Sequence, residues 1–160
     1  VVSVFPEDMP AGPLGGVQMQ RQIEQAAYRA AKGYGAVAQR YAEFVRGMPS
    51  RSAGAIASSY RPYTVGGEIR DFLPGFLADA LAGAAQQFER KIPGFLQEGL
   101  LLGAETRTSC PVRILRGENF CANPDGLYPA GEGAGYAGGI MSSAVDGLKA
   151  AEAVIRRFRP

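Results

Sequence analysis

Histidine is absent from the 160 residues, and so is tryptophan. Without an imidazole the chain holds no Ser-His-Asp or Cys-His relay, no His-ligated zinc and no histidine general base. Cysteine is scarce, with only Cys110 and Cys121, separated by ten residues. Two thiols make neither a thiolate zinc site nor a disulfide framework, so no metal is expected and both read as unpaired thiols. No stretch approaches the ~20 apolar residues of a membrane span. Charge of one sign is lacking too: 17 basic residues face 15 acidic ones, for a net charge of +2. That balance leaves no footprint for nucleic acid or anionic lipid, and neither partner is expected. The opening Val1-Val2-Ser3-Val4-Phe5 carries no basic region, cleavage site or initiator Met. We therefore expect a cytoplasmic protein and a chain that starts inside a longer one.

What is present is a globular composition, 46% hydrophobic and 20% charged, with an excess of glycine. Val1 to Phe5 reads as a short strand closed by Pro6. A helix is expected from Gly16, with Val17, Met19, Ile23, Ala26, Ala27, Ala30 and Tyr34 on one side, ending at Gly33 and Gly35. A second helix is expected over 38–46, stopped by Gly47. Residues 50–66 read as an exposed connection, and Glu68 to Leu73 as helical. A longer helix follows over 74–91, with Phe76, Leu77, Leu81 and Phe88 as core. Strands are expected at 100–102, 112–115 and 127–130. The last helix is expected over 140–158, with Ala144, Leu148, Ala151 and Ile155 as its buried stripe. The fold class is thus α+β, mostly helical. A helical part over 1–99 precedes a strand–loop–helix part over 100–160.

The chemistry concentrates in Leu127-Tyr-Pro-Ala-Gly-Glu-Gly-Ala-Gly-Tyr-Ala-Gly-Gly-Ile140, which holds five glycines over 131–139. Gly133-Ala-Gly135-Tyr-Ala-Gly138 formally matches G-x-G-x-x-G, but the chain ends before the second strand and acidic residue of a dinucleotide fold. The nicotinamide fingerprint is excluded. Two physical properties remain. Glycines let a ligand approach the backbone, and a helix N-terminus offers unpaired N–H groups and partial positive charge. An anionic or electron-rich group is expected at 138–142, with a plain Gly-rich turn as the alternative.

The segment from Gly126 to Gly147 resembles the C-terminal FAD-binding motif of glutathione-reductase-type flavoproteins, and within them the uncharacterised FAD-dependent dehydrogenases of bacteria. Gly103-Ala-Glu-Thr-Arg-Thr-Ser-Cys-Pro-Val-Arg-Ile114, Arg90-Lys-Ile-Pro-Gly-Phe95, Ser59-Tyr-Arg-Pro62 and Val1-Val-Ser-Val4 extend the resemblance along the chain. The resemblance implies FAD as cofactor and flavin-mediated hydride or electron transfer on an unknown small molecule, and it makes the helical part over 1–99 the substrate-side part. It implies that Gly131, Glu132, Gly133, Gly135, Tyr136, Ala137, Gly138, Gly139 and Ile140 bind the cofactor, with Glu132 on its ribityl or phosphate portion. Arg107 and Glu105 become the catalytic candidates, with Thr106 and Thr108 on the flavin or substrate side. An ordinary surface ion pair is the competing reading for Arg107. The family usually carries Ser where this chain has Cys110, a departure that weighs against a redox role for that thiol.

No N-terminal strand–G-x-G-x-x-G–helix unit is present to hold the ADP half of FAD. The resemblance therefore implies a C-terminal fragment of an FAD-dependent oxidoreductase, inactive alone and unable to hold FAD. Its expected partner is the missing N-terminal FAD-binding portion of the same protein, and unpaired strand edges point to a homodimer. The competing class is a non-catalytic helical interaction module with a Gly-rich C-terminal turn.

Overall fold

The computed structural model describes residues 1–48 and 58–159, so part of the expected connection lies outside the described residues. The chain forms two compact units. The first comprises Val1–Asp8 and Met19–Thr106, the second Met9–Gln18 and Arg107–Pro160.

In the first unit the expected strand at 1–5 is not formed. Phe5 instead donates its N–H to the Asp8 carboxylate at 2.9 Å, and a 3-10 turn follows over Pro6–Asp8. A backbone donor satisfied by its own turn is not available to a sheet. Helix α1 spans Gly15–Ala31. Met19, Ile23, Ala27 and Ala31 are buried at steps of four, so the buried face is narrower than expected and leaves Ala30 and Tyr34 exposed.

Strand β1, Ala36–Arg40, lies where the start of a helix was expected. Its first four residues are all buried. A short central strand covered on both faces shows no polar alternation, which is why the period missed it. β1 is flanked by β2, Thr64–Gly66, parallel to it, and by β3, Leu100–Gly103, antiparallel to it. Val37 pairs with Val65 on one side and with Gly103 on the other.

The chain then turns into helix α2, Tyr41–Arg46, which Gly47 closes at φ +61° in the left-handed region. The expected helix over 68–73 shortens to a 3-10 turn at Ile69–Asp71. The expected long helix divides at Ala84 into α3, Gly75–Gly83, and α4, Ala85–Lys91. Leu77 is buried in α3, whereas Phe76 and Phe88 stand partly exposed. Helix α5, Phe95–Glu98, follows. Its first turn is held by Glu89, whose carboxylate accepts the N–H groups of Gly94 and Leu96 at 2.8 Å each. These two bonds lower the Glu89 pKa.

Tyr41 is the hub of this core. Its ring lies 6.2 Å from Phe44 and 5.2 Å from Phe95, and its hydroxyl donates to Leu81 O at 2.7 Å. Burial pushes its phenol pKa up. Gln39, fully buried, accepts the Ile69 N–H at 3.0 Å and donates to Glu68 at 2.8 Å.

In the second unit, 112–115 and 127–130 are not strands. Their bonds are isolated ones, such as Ile114 N–H to Ala134 O at 3.1 Å and Ala122 N–H to Leu127 O at 2.8 Å, and no ladder forms. The 3-10 turn Glu132–Ala134 follows, then helix α6 over Ile140–Phe158, as the sequence predicts. Its orientation is the reverse of the expectation. Ala144, Leu148, Ala151 and Ile155 face outward, while Ala150 is buried and Asp146 is turned toward the body of the unit. The fold class is α+β. No described helix is long and apolar enough to cross a membrane.

Candidate functional site

The Gly-rich loop is organised from beneath by one ion pair. Arg116 donates to both Asp146 oxygens, at 2.6 and 3.0 Å, and to Pro129 O at 2.6 Å. Both side chains are largely buried, 9% and 14% exposed. The guanidinium is stacked by two rings, with its carbon 3.7 Å from the Tyr136 centroid and 4.2 Å from that of Phe120. Asp146 also accepts the Gly131 N–H at 2.8 Å. Arg116 first, and Gly131 second, lower its pKa to about 2. The same contact raises the pKa of Arg116.

Gly131 is buried at φ +70°, a conformation that favours glycine. Its carbonyl accepts the Tyr136 N–H at 3.1 Å, so the loop closes on itself. Tyr136 bridges outward, its hydroxyl donating to Ile114 O at 3.1 Å, and Arg113 donates to Gly135 O at 3.0 Å. Cys110 is near both Val112 O and Gly133 O, at 3.2 and 3.3 Å. Its thiol serves as a link between backbone segments.

The nine loop positions divide into two roles. Gly135 faces inward: a Cβ there would sit 2.4 Å from Val112 O. Glu132, Gly133, Gly138 and Gly139 are exposed, Ala137 is half-buried, and Ile140 stands fully outward. A Cβ on Gly133 would meet nothing within 4 Å. The outer loop is therefore bare backbone running into the first turn of α6, whose leading N–H groups have no intrahelical acceptor. Ser142 accepts the Gly139 N–H at 3.2 Å, and Ile140 and Met141 at the helix start are exposed. Below, Ser143 Oγ is buried without a partner among the described residues.

This arrangement fits a flat, electron-rich group laid against glycine backbone, with negative charge near the helix terminus. It fits a flavin edge. The loop and helix start would hold the group, and Glu132, exposed at the first turn, is available to accept from a hydroxyl.

Of the other expected residues, Thr106 in the first unit is committed. Its hydroxyl donates to Glu24 at 2.6 Å and its carbonyl accepts from Gln20 at 2.8 Å. Glu105, Arg107 and Thr108 are exposed. Near the end of α6, Arg156 and Arg159 are exposed, whereas Arg157 is a strut: Nη2 bonds Asp125 Oδ2 at 2.6 Å, and Nη1 bonds the Tyr128 hydroxyl at 3.3 Å. The second unit also carries an open groove of about 660 Å³ lined by Glu118, Tyr128, Lys149 and Arg156 among others. It lies toward the C-terminal end of α6, away from the loop, and carries charges of both signs.

Sequence reasoning missed Arg116, Arg113 and Asp146. Their signal was present but quiet: one acid on α6 off the apolar stripe, and two arginines in an otherwise extended run.

Residues 1–108 match the family described as FAD-dependent protein, C-terminal domain-like. The chain belongs to that family. An uncharacterized protein of Clostridium beijerinckii is 41% identical over 162 residues, covering 99% of this chain and 30% of the relative. The chain thus spans about a third of the length of the curated relative it matches. The matched residues end before the Gly-rich loop.

Proposed function

We propose that the chain is the C-terminal, flavin-contacting part of an FAD-dependent oxidoreductase of the glutathione-reductase type, a dehydrogenase acting on a small molecule. The observation that carries this is the exposed glycine backbone at Gly133, Gly138 and Gly139, leading into the N-terminus of α6 and fixed from below by Arg116 and Asp146. The FAD supplies the hydride or electron chemistry. The chain's own part is to position. Gly138 and Gly139 permit contact, Glu132 accepts from the ribityl hydroxyls, and the α6 terminus stabilises negative charge at the pyrimidine edge. Arg107 orients a substrate carboxylate or the flavin carbonyls, beside Glu105 and Thr108. The ADP half of FAD is held by residues outside this chain, so these 160 residues alone neither retain FAD nor turn over. The protein works in the cytoplasm.

The test exploits a position where a side chain has room. A Cβ at position 133 meets nothing within 4 Å, so Gly133→Val in the full-length protein adds bulk to the outer face from an open position. FAD affinity is expected to fall at least ~10-fold, equivalent to ~1.4 kcal/mol, with the unfolding midpoint unchanged. Unaltered FAD affinity in both Gly133→Val and Gly138→Val would overturn the proposal.

A further inference from the structure

The outward face of α6 is the largest feature the proposed flavin site does not use. Met141, Ala144, Leu148, Ala151, Ile155 and Phe158 recur at steps of three and four along the 19-residue helix. The four large ones are 75%, 67%, 64% and 65% exposed in chain order. Scattered surface apolar residues are ordinary, but an unbroken stripe along a whole helix marks an interaction surface.

The helix cannot roll to hide this stripe. Its opposite side is pinned by Asp146 to Arg116 and to the Gly131 N–H, at 2.6 and 2.8 Å, and by Arg157 to Asp125 at 2.6 Å. Turning the stripe inward would break the pair that organises the Gly-rich loop. The face therefore requires an occupant from elsewhere.

Two observations choose the occupant. The relative that matches 99% of this chain is more than three times as long, since the match covers only 30% of it. A large remainder of polypeptide is thus available beside the helix. One stripe on one helix is also narrow beside the ~800 Å² per partner of a standard interface. We propose that this face of α6 docks onto an apolar surface of the same polypeptide outside these 160 residues. Ala144 and Ala151 would allow close backbone approach between the larger side chains. The inference rests on the chain being part of a longer flavoprotein, and it adds the surface through which the two portions join.

The experiment places a photo-reactive benzoylphenylalanine at Leu148, and separately at Ile155, in the full-length protein. Lys149, exposed and off the stripe, is the control position. Cross-linked peptides are identified by mass spectrometry, and bound FAD is measured in the same samples. The expected result is an intramolecular link from 148 or 155 to residues outside the 160, and none from 149. A link to a second copy, a link only within the 160 residues, or no link from either position would overturn the proposal. FAD content is read independently, so a protein without flavin that still gives the expected link would sink the flavin reading and leave the docking face standing. Circular dichroism identifies any probe variant that fails to fold, and the other position then supplies the answer.

Discussion

Arg116 and Asp146 are thirty residues apart in sequence and meet through both carboxylate oxygens, at 2.6 and 3.0 Å, beneath the turn that begins at Gly131. The pair joins the extended segment before the loop to the helix after it. Because both side chains are largely buried, removing one partner strands the other's charge. Arg116→Met is expected to destabilise the second unit by about 3 kcal/mol. Asp146→Asn, which keeps an acceptor for the Gly131 N–H, is expected to lose less. Urea unfolding of the two variants beside the wild type measures the difference; equal midpoints for all three would contradict it.

The same pair sets a pH dependence. The Asp146 pKa is lowered in the folded protein to about 2, from 3.8. A depressed carboxylate contributes stability that is fully present above the unfolded value and lost as pH falls through the folded one. Stability is therefore expected to decline between about pH 4 and pH 2 by about 2 kcal/mol from this group. Asp125 and Glu89, held low by Arg157 and by the Leu96 and Gly94 N–H groups respectively, act in the same direction. In Asp146→Asn the acid slope should flatten, as equilibrium unfolding at several pH values will show.

Two glycines of one loop are expected to respond unequally to alanine. At Gly135, φ is +81° and a Cβ would lie 2.4 Å from Val112 O, so Gly135→Ala is expected to cost about 2 kcal/mol or more. At Gly133 there is space, so Gly133→Ala should stay within about 0.5 kcal/mol of wild type. Thermal unfolding of both variants decides it, and similar losses at the two positions would be inconsistent with the loop geometry described.

Gln39 offers a test of the first unit. Its fully buried side chain satisfies the Ile69 N–H from β1. Gln39→Leu leaves that donor without its acceptor and should cost about 2 kcal/mol. An unchanged denaturation midpoint would show that the bond contributes nothing.

The legible parts of the fold were those with a period or a stop signal. Helices α1 and α6 and strand β3 follow from apolar spacing, and Gly47 ends α2 where expected. β1 was missed because Ala36, Val37, Ala38 and Gln39 are buried on both sides, so nothing alternates. The expected strands at 112–115 and 127–130 have strand-like residues but no neighbouring ladder, and a strand exists only by pairing. On α6 the apolar stripe was visible in the sequence, but its direction was not. A buried Arg116–Asp146 pair, not the stripe, fixes which side faces the unit, and such a pair leaves no periodic signal. Glycine density and helix-terminus physics pointed to 138–142 and the resemblance supplied the nine loop positions; the division into inward Gly131 and Gly135 and outward Gly133, Gly138 and Gly139 came from the structure.

Amide hydrogen exchange on the full-length protein, with FAD removed and then restored, tests the central claim most directly. Restoring FAD is predicted to slow exchange across 138–142, where bare loop backbone meets the start of α6. Exchange there that is the same with and without bound FAD would contradict the account.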